Sequence, residues 1–168
     1  MRRVIITGGA AGLGRIIAQS FSALGYKVAV CDLSIKNLNN LKRELPQVLA
    51  FQADVTDERR MEQFFDVIIE KLGGVDVLIS NAGSEGPAGL IENLEFSDWR
   101  DCLNVNLNGA FISCRWAASH MKKQKSGLIL LISSTSGLFG VPNRSPYVTA
   151  KWGLIGFMKT LAMELGPD

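Results

Sequence analysis

Residues 4–18 read VIITGGAAGLGRIIA, and their reading decides the fold. A short β-branched run stops abruptly in glycines, and a helical pattern starts inside the same glycine cluster. Gly8, Gly12 and Gly14 permit a tight turn, a close backbone approach to a ligand, and close helix–strand packing. The free N–H groups at the start of such a helix form a site for a pyrophosphate. A glycine turn alone is weak evidence, but this one follows a strand and opens a helix, which is the context that gives it meaning.

Working outward, short apolar runs alternate with long helical stretches. Strands are expected at 3–7, 27–32, 48–54, 75–80 and 127–133. Helices are expected at about 12–24, 35–45, 57–72, 97–121 and 145–165. Several strands are apolar at consecutive positions, as in a parallel sheet covered on both faces. Strict β-α alternation predicts a doubly wound parallel sheet of Rossmann type. With no internal repeat, linker or low-complexity tract, residues 1–168 read as one α/β domain.

Composition agrees with a globular chain. Of 168 residues, 47% are hydrophobic and 20% charged, and the net charge is +2. No basic block points to nucleic acid. The longest apolar run, GLILLI, is too short to cross a bilayer. Cys31, Cys102 and Cys114 lack metal-type spacing, and with no C-x-x-C they suggest a reducing, cytoplasmic setting. Cys31 lies in an apolar strand and reads as a small core residue. The sole histidine, His120, falls at an expected helix end, where the dipole accounts for it. No catalytic metal is expected.

Asp32 ends the second strand, 18 residues after Gly14. A carboxylate there accepts hydrogen bonds from a ribose 2′-hydroxyl and repels a 2′-phosphate, which favours NAD over NADP. Its competing reading is a cap for the next helix. Asp54, in ADVTDE, has the same alternative of a cap or turn. Asn81 and Gly83 follow the fourth strand, at the carboxyl edge where open sheets bind ligands, although a turn alone explains an N-A-G.

Tyr147 and Lys151 stand four residues apart and share one helix face. A free phenol ionises near pH 10, so making it a neutral-pH acid–base takes about 4 kcal/mol. One cation about 4 Å away at an effective dielectric of about 20 supplies roughly that. Lys151 would thus tune Tyr147 as a general acid/base, the alternative being a structural Tyr beside a surface Lys. Ser134 ends the fifth strand at the same sheet edge and would orient a substrate oxygen. Ser133 and Ser136 are neighbouring hydroxyls. Asn106 lies on a mostly apolar helix, where a buried amide needs partners. It would hold a water passing protons toward Lys151, or simply pack the helix.

Taken together, the chain closely resembles the short-chain dehydrogenase/reductase family. TGGAAGLG is similar to its T-G-x-x-x-G-x-G turn, NAG to its post-strand motif, YVTAK to its Y-x-x-x-K, and VNLNG carries its helix asparagine. Ser134 falls thirteen residues before Tyr147, the family's usual separation, which favours it over Ser133. The resemblance implies hydride transfer between NAD and a secondary alcohol or ketone, with Asn106, Ser134, Tyr147 and Lys151 catalytic and Ser134 and Tyr147 at the substrate. It also implies that Gly8, Gly12, Leu13 and Gly14 cradle the cofactor and that Asp32 holds its ribose. Asp54 and Val55 would contact adenine, Asn81 and Gly83 would line the ribose side, and Tyr147 and Lys151 would touch the nicotinamide ribose.

Two expectations concern the far end of the chain. The last two helices are apolar on several sides, so one side wants a partner. That partner is either more of the same chain or another subunit, and the family's habit of pairing here points to a homodimer or homotetramer. Family members also continue beyond a helix like the last one with two more strands, which makes the sequence a truncated record of a longer enzyme. The alternative is a short, non-catalytic dinucleotide-binding product. Arg144, three residues before Tyr147, would meet an acidic substrate group or lie solvated in its loop.

Overall fold

The computed structural model describes residues 2–167. The apolar runs form five parallel strands: β1 (Arg3–Thr7), β2 (Lys27–Asp32), β3 (Leu49–Gln52), β4 (Val77–Ser80) and β5 (Leu128–Leu131). They lie side by side in the order β3-β2-β1-β4-β5. The order reverses at β1, so a crevice opens between the carboxyl ends of β1 and β4. Three expected strands are shorter here. Ala53 and Asp54, for example, lie beyond β3, although the Ala53 amide still donates to the Asp32 carbonyl at the end of β2 at 3.2 Å.

Helices cover both faces. On one side α1 (Gly12–Ala23) and α2 (Ile35–Glu44) pack on the sheet, with Val4, Ile6, Val30, Leu38, Leu41 and Ile79 in their core. On the other, α3 (Glu58–Leu72) and α5 (Gly109–Gln124) bury Ile5, Met61, Phe64, Phe65, Ile68 and Leu78. Alternate residues of β1 thus feed opposite cores, as the two-residue side-chain period requires. Fully burying such a side chain stabilises by about 1.5–3 kcal/mol. Cys31 is one of these core residues, with no exposed surface.

Capping follows the sequence. Ser34 caps α2 by accepting from the Asn37 amide, and Asp57 caps α3 by accepting from the Arg60 amide. Gly73 stops α3 in the left-handed region at φ 78°. At the amino end of the sheet, Arg3 grips Asp76 through Nε at 2.9 Å and Nη2 at 2.7 Å, tying the start of β1 to the approach to β4.

The helix expected at 97–121 is three segments. An α-helix, α4 (Phe96–Leu103), runs into a π turn at Asn104–Asn108 and then into α5. In that turn the Gly109 amide donates to the Asn104 carbonyl, five residues back. The long last helix, α6 (Ser145–Leu165), matches expectation. Trp152, Met158 and Met163 on it are exposed, as is Phe111 on α5. β5 forms one edge of the sheet, and its Leu128 and Leu130 are also exposed. Among the described residues, no helix is long and apolar enough to cross a membrane. No group of His, Cys, Asp and Glu there could hold a metal ion.

Candidate active site

The glycine turn is fixed by its neighbours. Thr7 is buried at the end of β1, and its Oγ1 accepts from the amides of Asn81 and Ala82, both at 3.1 Å. The Asn81 side-chain amide donates back to the carbonyls of Thr7 at 3.1 Å and Gly8 at 3.0 Å. Asn81 therefore staples the turn to the loop after β4. Sequence reasoning gave Thr7 no role, although a lone hydroxyl ending an apolar strand was the available signal.

The glycines differ in what they permit. A Cβ on Gly14 would lie 2.2 Å from the Gly8 carbonyl oxygen and 2.6 Å from Asn81 Nδ2. Gly12 has φ +49°, and a Cβ there would meet nothing within 4 Å, so the turn faces open space. Ala11, at the cap position of α1, places no side chain on the first-turn amides. An open cradle of uncapped N–H groups at a helix start suits a pyrophosphate, so the residues fit a dinucleotide.

Asp32 lies beside this cradle. Its Oδ2 accepts from the Ala10 amide and its Oδ1 from the Ser34 amide, each at 3.0 Å. Ser34, not Asp32, caps α2. An ionised carboxylate offers about four acceptor positions, so roughly two remain for a ligand. Asp54 forms a turn of its own, accepting from the Thr56 amide at 2.9 Å and hydroxyl at 2.8 Å. Val55 is buried and packs against the start of α5, where a Cβ on Gly109 would come within 2.8 Å of its Cγ2.

A cavity of ≈ 300 Å³ at the same sheet edge is lined by Leu13, Asn81, Gly83, Asn106, Ser134, Tyr147 and Lys151, together with Ser84, Glu85, Ile132 and Ser133. The four residues expected to be catalytic thus meet in one place. The two neighbouring serines differ in their commitments. Ser133 donates its hydroxyl proton to the Lys151 carbonyl at 3.1 Å. Ser134 Oγ instead accepts from the Ser136 amide at 3.1 Å, which leaves its own proton available.

Lys151 is buried, and its Nζ donates to the Ile132 carbonyl at 2.9 Å. Burial pushes its ammonium pKa below the ordinary lysine value, with the charge of an ionised Cys102 acting against that. Its Nζ stands 5.5 Å from the centre of the Tyr147 ring. Asn106 is buried within the π turn. Its Nδ2 donates to the Ser84 carbonyl at 2.8 Å and the Cys102 carbonyl at 2.9 Å, and its Oδ1 accepts from the Ser84 amide at 3.3 Å. The asparagine thereby clamps the loop after β4 onto the helix. The π turn, a device frequent at functional sites, is what carries this side chain.

The chain belongs to the short-chain dehydrogenase family, whose family model matches residues 2–168. It is similar to the 3-oxoacyl-(acyl-carrier-protein) reductase FabG of Thermotoga maritima, at 36% identity over 165 residues, covering 96% of this chain and 67% of that protein. It is also similar to levodione reductase of Leifsonia aquatica, at 33% identity, covering 98% of this chain and 64% of that one. Among solved structures, an NAD+-bound xylitol dehydrogenase superposes with a TM-score of 0.95 at 25% identity, over 99% of this chain and 65% of the other. An actinorhodin polyketide ketoreductase variant with NADPH does so with 0.94 at 30% identity, over 98% and 65%. The chain spans about two thirds of the length of these relatives.

Proposed function

We propose that the protein is an oxidoreductase that moves a hydride between NAD(H) and a secondary alcohol or ketone. The observation that carries this reading is the convergence of Asn106, Ser134, Tyr147 and Lys151 on the cavity that also borders Leu13, Asn81 and Gly83. A bound nicotinamide supplies the hydride acceptor or donor. The chain supplies binding, orientation and proton transfer. Gly8, Gly12, Leu13 and Gly14 hold the pyrophosphate against the start of α1. Asp32 uses its remaining lone pairs for ribose hydroxyls, Asp54 and Val55 border the adenine, and Asn81 and Gly83 line the ribose side.

Ser134 donates its free proton to the substrate oxygen and fixes that oxygen toward Tyr147. Tyr147 takes the hydroxyl proton during alcohol oxidation and returns it during ketone reduction. Lys151 stabilises the phenolate and, with Tyr147, contacts the nicotinamide ribose. Asn106 positions the loop after β4 and holds a water for proton exchange with Lys151. The exposed apolar residues of α5 and α6 pair subunits into a homodimer or homotetramer.

The test is nicotinamide absorbance with a panel of secondary alcohols and ketones, using the product of the complete reading frame with NAD(H) and with NADP(H). The repulsion between Asp32 and a 2′-phosphate predicts kcat/KM higher with NAD by about 10-fold or more. Equal or better use of NADP would overturn the NAD assignment. An absence of hydride transfer with every substrate and either cofactor would overturn the reading itself.

A further inference from the structure

The loops after β4 and β5 meet at the rim of the cavity. The Gly89 amide donates to the Asn143 carbonyl at 2.9 Å, which brings Glu85 and Arg144 together. Arg144 is not a solvated loop arginine. Its side chain is only 24% exposed, and its guanidinium lies 5.3 Å from the centre of the Tyr147 ring. Its one ion-pair partner among the described residues is Glu85, at 3.8 Å, whose side chain is 89% exposed. That separation is too long for a good hydrogen bond, and so exposed a pair contributes about 0–1 kcal/mol. A half-buried guanidinium, with five donors in a rigid fork, is thus left almost unused beside the candidate acid/base.

The cavity wall carries two charged side chains, Glu85 and Lys151, and the lysine is turned into the Ile132 carbonyl. Burial raises the Cys102 thiol pKa, and the Asn106 hydrogen bond, followed by the charges of Arg144 and Lys151, pulls against that rise. The rim also has an apolar side, since Leu138, Phe139 and Val141 are exposed on the loop that leads to Arg144.

We propose that Arg144 selects substrate charge: the alcohol or ketone presented to Tyr147 carries a carboxylate or similar anionic group a few bonds from its reacting carbon, and Glu85 occupies that group's place until it arrives. The proposal rests on the hydride-transfer reading for the identity of the ligand as an alcohol or ketone. A planar carboxylate satisfies the guanidinium fork with two parallel hydrogen bonds. The exposed Glu85 side chain swings into solvent at little cost. A short hydroxy acid or keto acid therefore binds better than its neutral amide, by roughly 10- to 100-fold.

The experiment measures affinity by calorimetry and turnover by nicotinamide absorbance, on the product of the complete reading frame, with NAD for the hydroxy acids and NADH for the oxo acids. The probes are 2- and 3-hydroxybutanoate, the matching oxobutanoates, and the primary amide of each. The expected result is an acid-to-amide affinity ratio of roughly 10 to 100 for at least one pair, falling to near one in Arg144→Met. Arg144→Lys should keep part of the ratio. Glu85→Gln removes the competing carboxylate and should raise it, and so exposed a substitution leaves the fold in place. The proposal is overturned if no acid outbinds its amide, if Arg144→Met keeps the ratio, or if Glu85→Gln lowers it. Charge-selective binding without turnover would refute the hydride-transfer reading and leave the role of Arg144 standing.

Discussion

Replacing Gly14 by alanine tests the construction of the cradle. The added methyl would sit 2.2 Å from the Gly8 carbonyl oxygen, where real contacts stay beyond 3.0 Å. That oxygen is not free to retreat, because the Asn81 side-chain amide donates to it at 3.0 Å. Gly8 itself is hemmed in, since a Cβ on it would already lie 2.9 Å from the Ala82 backbone. Relief requires moving the Gly8 peptide and losing the Asn81 bond. Overpacking costs about 1–3 kcal/mol and the lost hydrogen bond about 1 kcal/mol. The gain from alanine's helix propensity is about 1 kcal/mol, and less in a first turn. Sterics win, by about 1.5–3.5 kcal/mol net. For a domain of this size the melting temperature should fall by about 5–10 °C.

Gly12→Ala is the control, because its Cβ meets no protein atom within 4 Å. It costs only the left-handed backbone term of about 1–2 kcal/mol, but it puts a methyl in the open space assigned to the pyrophosphate. Thermal melts and NAD titrations of both variants separate the two effects. Gly14→Ala should lose more stability, whereas Gly12→Ala should lose NAD affinity out of proportion to its stability. A Gly14→Ala protein as stable as the parent would refute the steric argument.

Two further predictions follow from buried or paired charges. Asp76 is held below the usual carboxylate range, first by its hydrogen bond from Arg3. Its contribution is therefore present above the unfolded-state pKa and is lost as pH falls through the lowered folded value. Asp76→Asn should cost about 1–2 kcal/mol at neutral pH after allowance for partial exposure, and the gap in urea melts should close in acid; a gap constant with pH would contradict this. Lys151 has the opposite consequence, because its folded pKa lies below the ordinary 10.5. Between those values the unfolded chain binds more protons, so stability rises with pH. Relative to Lys151→Met, the parent should gain stability in urea melts as pH increases toward 10.5, and a parent that instead lost ground would refute the buried-cation account.

All five strands were legible because a parallel sheet leaves continuous apolar runs such as VIIT and LILL. The glycine turn and the Tyr147–Lys151 pair were legible because each places unusual residues at a fixed spacing. The π turn was not. Periodicity registers a helix, and one extra residue per turn around Asn106 leaves the apolar pattern of VNLNG almost unchanged. The clamp from Asn106 to Ser84 joins residues 22 apart and was invisible for the same reason. Ser133 and Ser134 were separable from sequence only by resemblance. In the structure their hydrogen bonds distinguish them, because one hydroxyl proton is committed to Lys151 and the other is not. Arg144 read first as a solvated loop residue, and only the fold puts it over the Tyr147 ring.

The most direct test of the central claim compares the parent protein with Tyr147→Phe, measuring NAD affinity and alcohol-dependent reduction of NAD in the same preparations. Loss of a general acid/base should reduce kcat by about 10²- to 10⁴-fold. NAD affinity should fall by no more than about 10-fold, the worth of one hydrogen bond to the ribose. Turnover that survives the loss of the phenol would contradict the account.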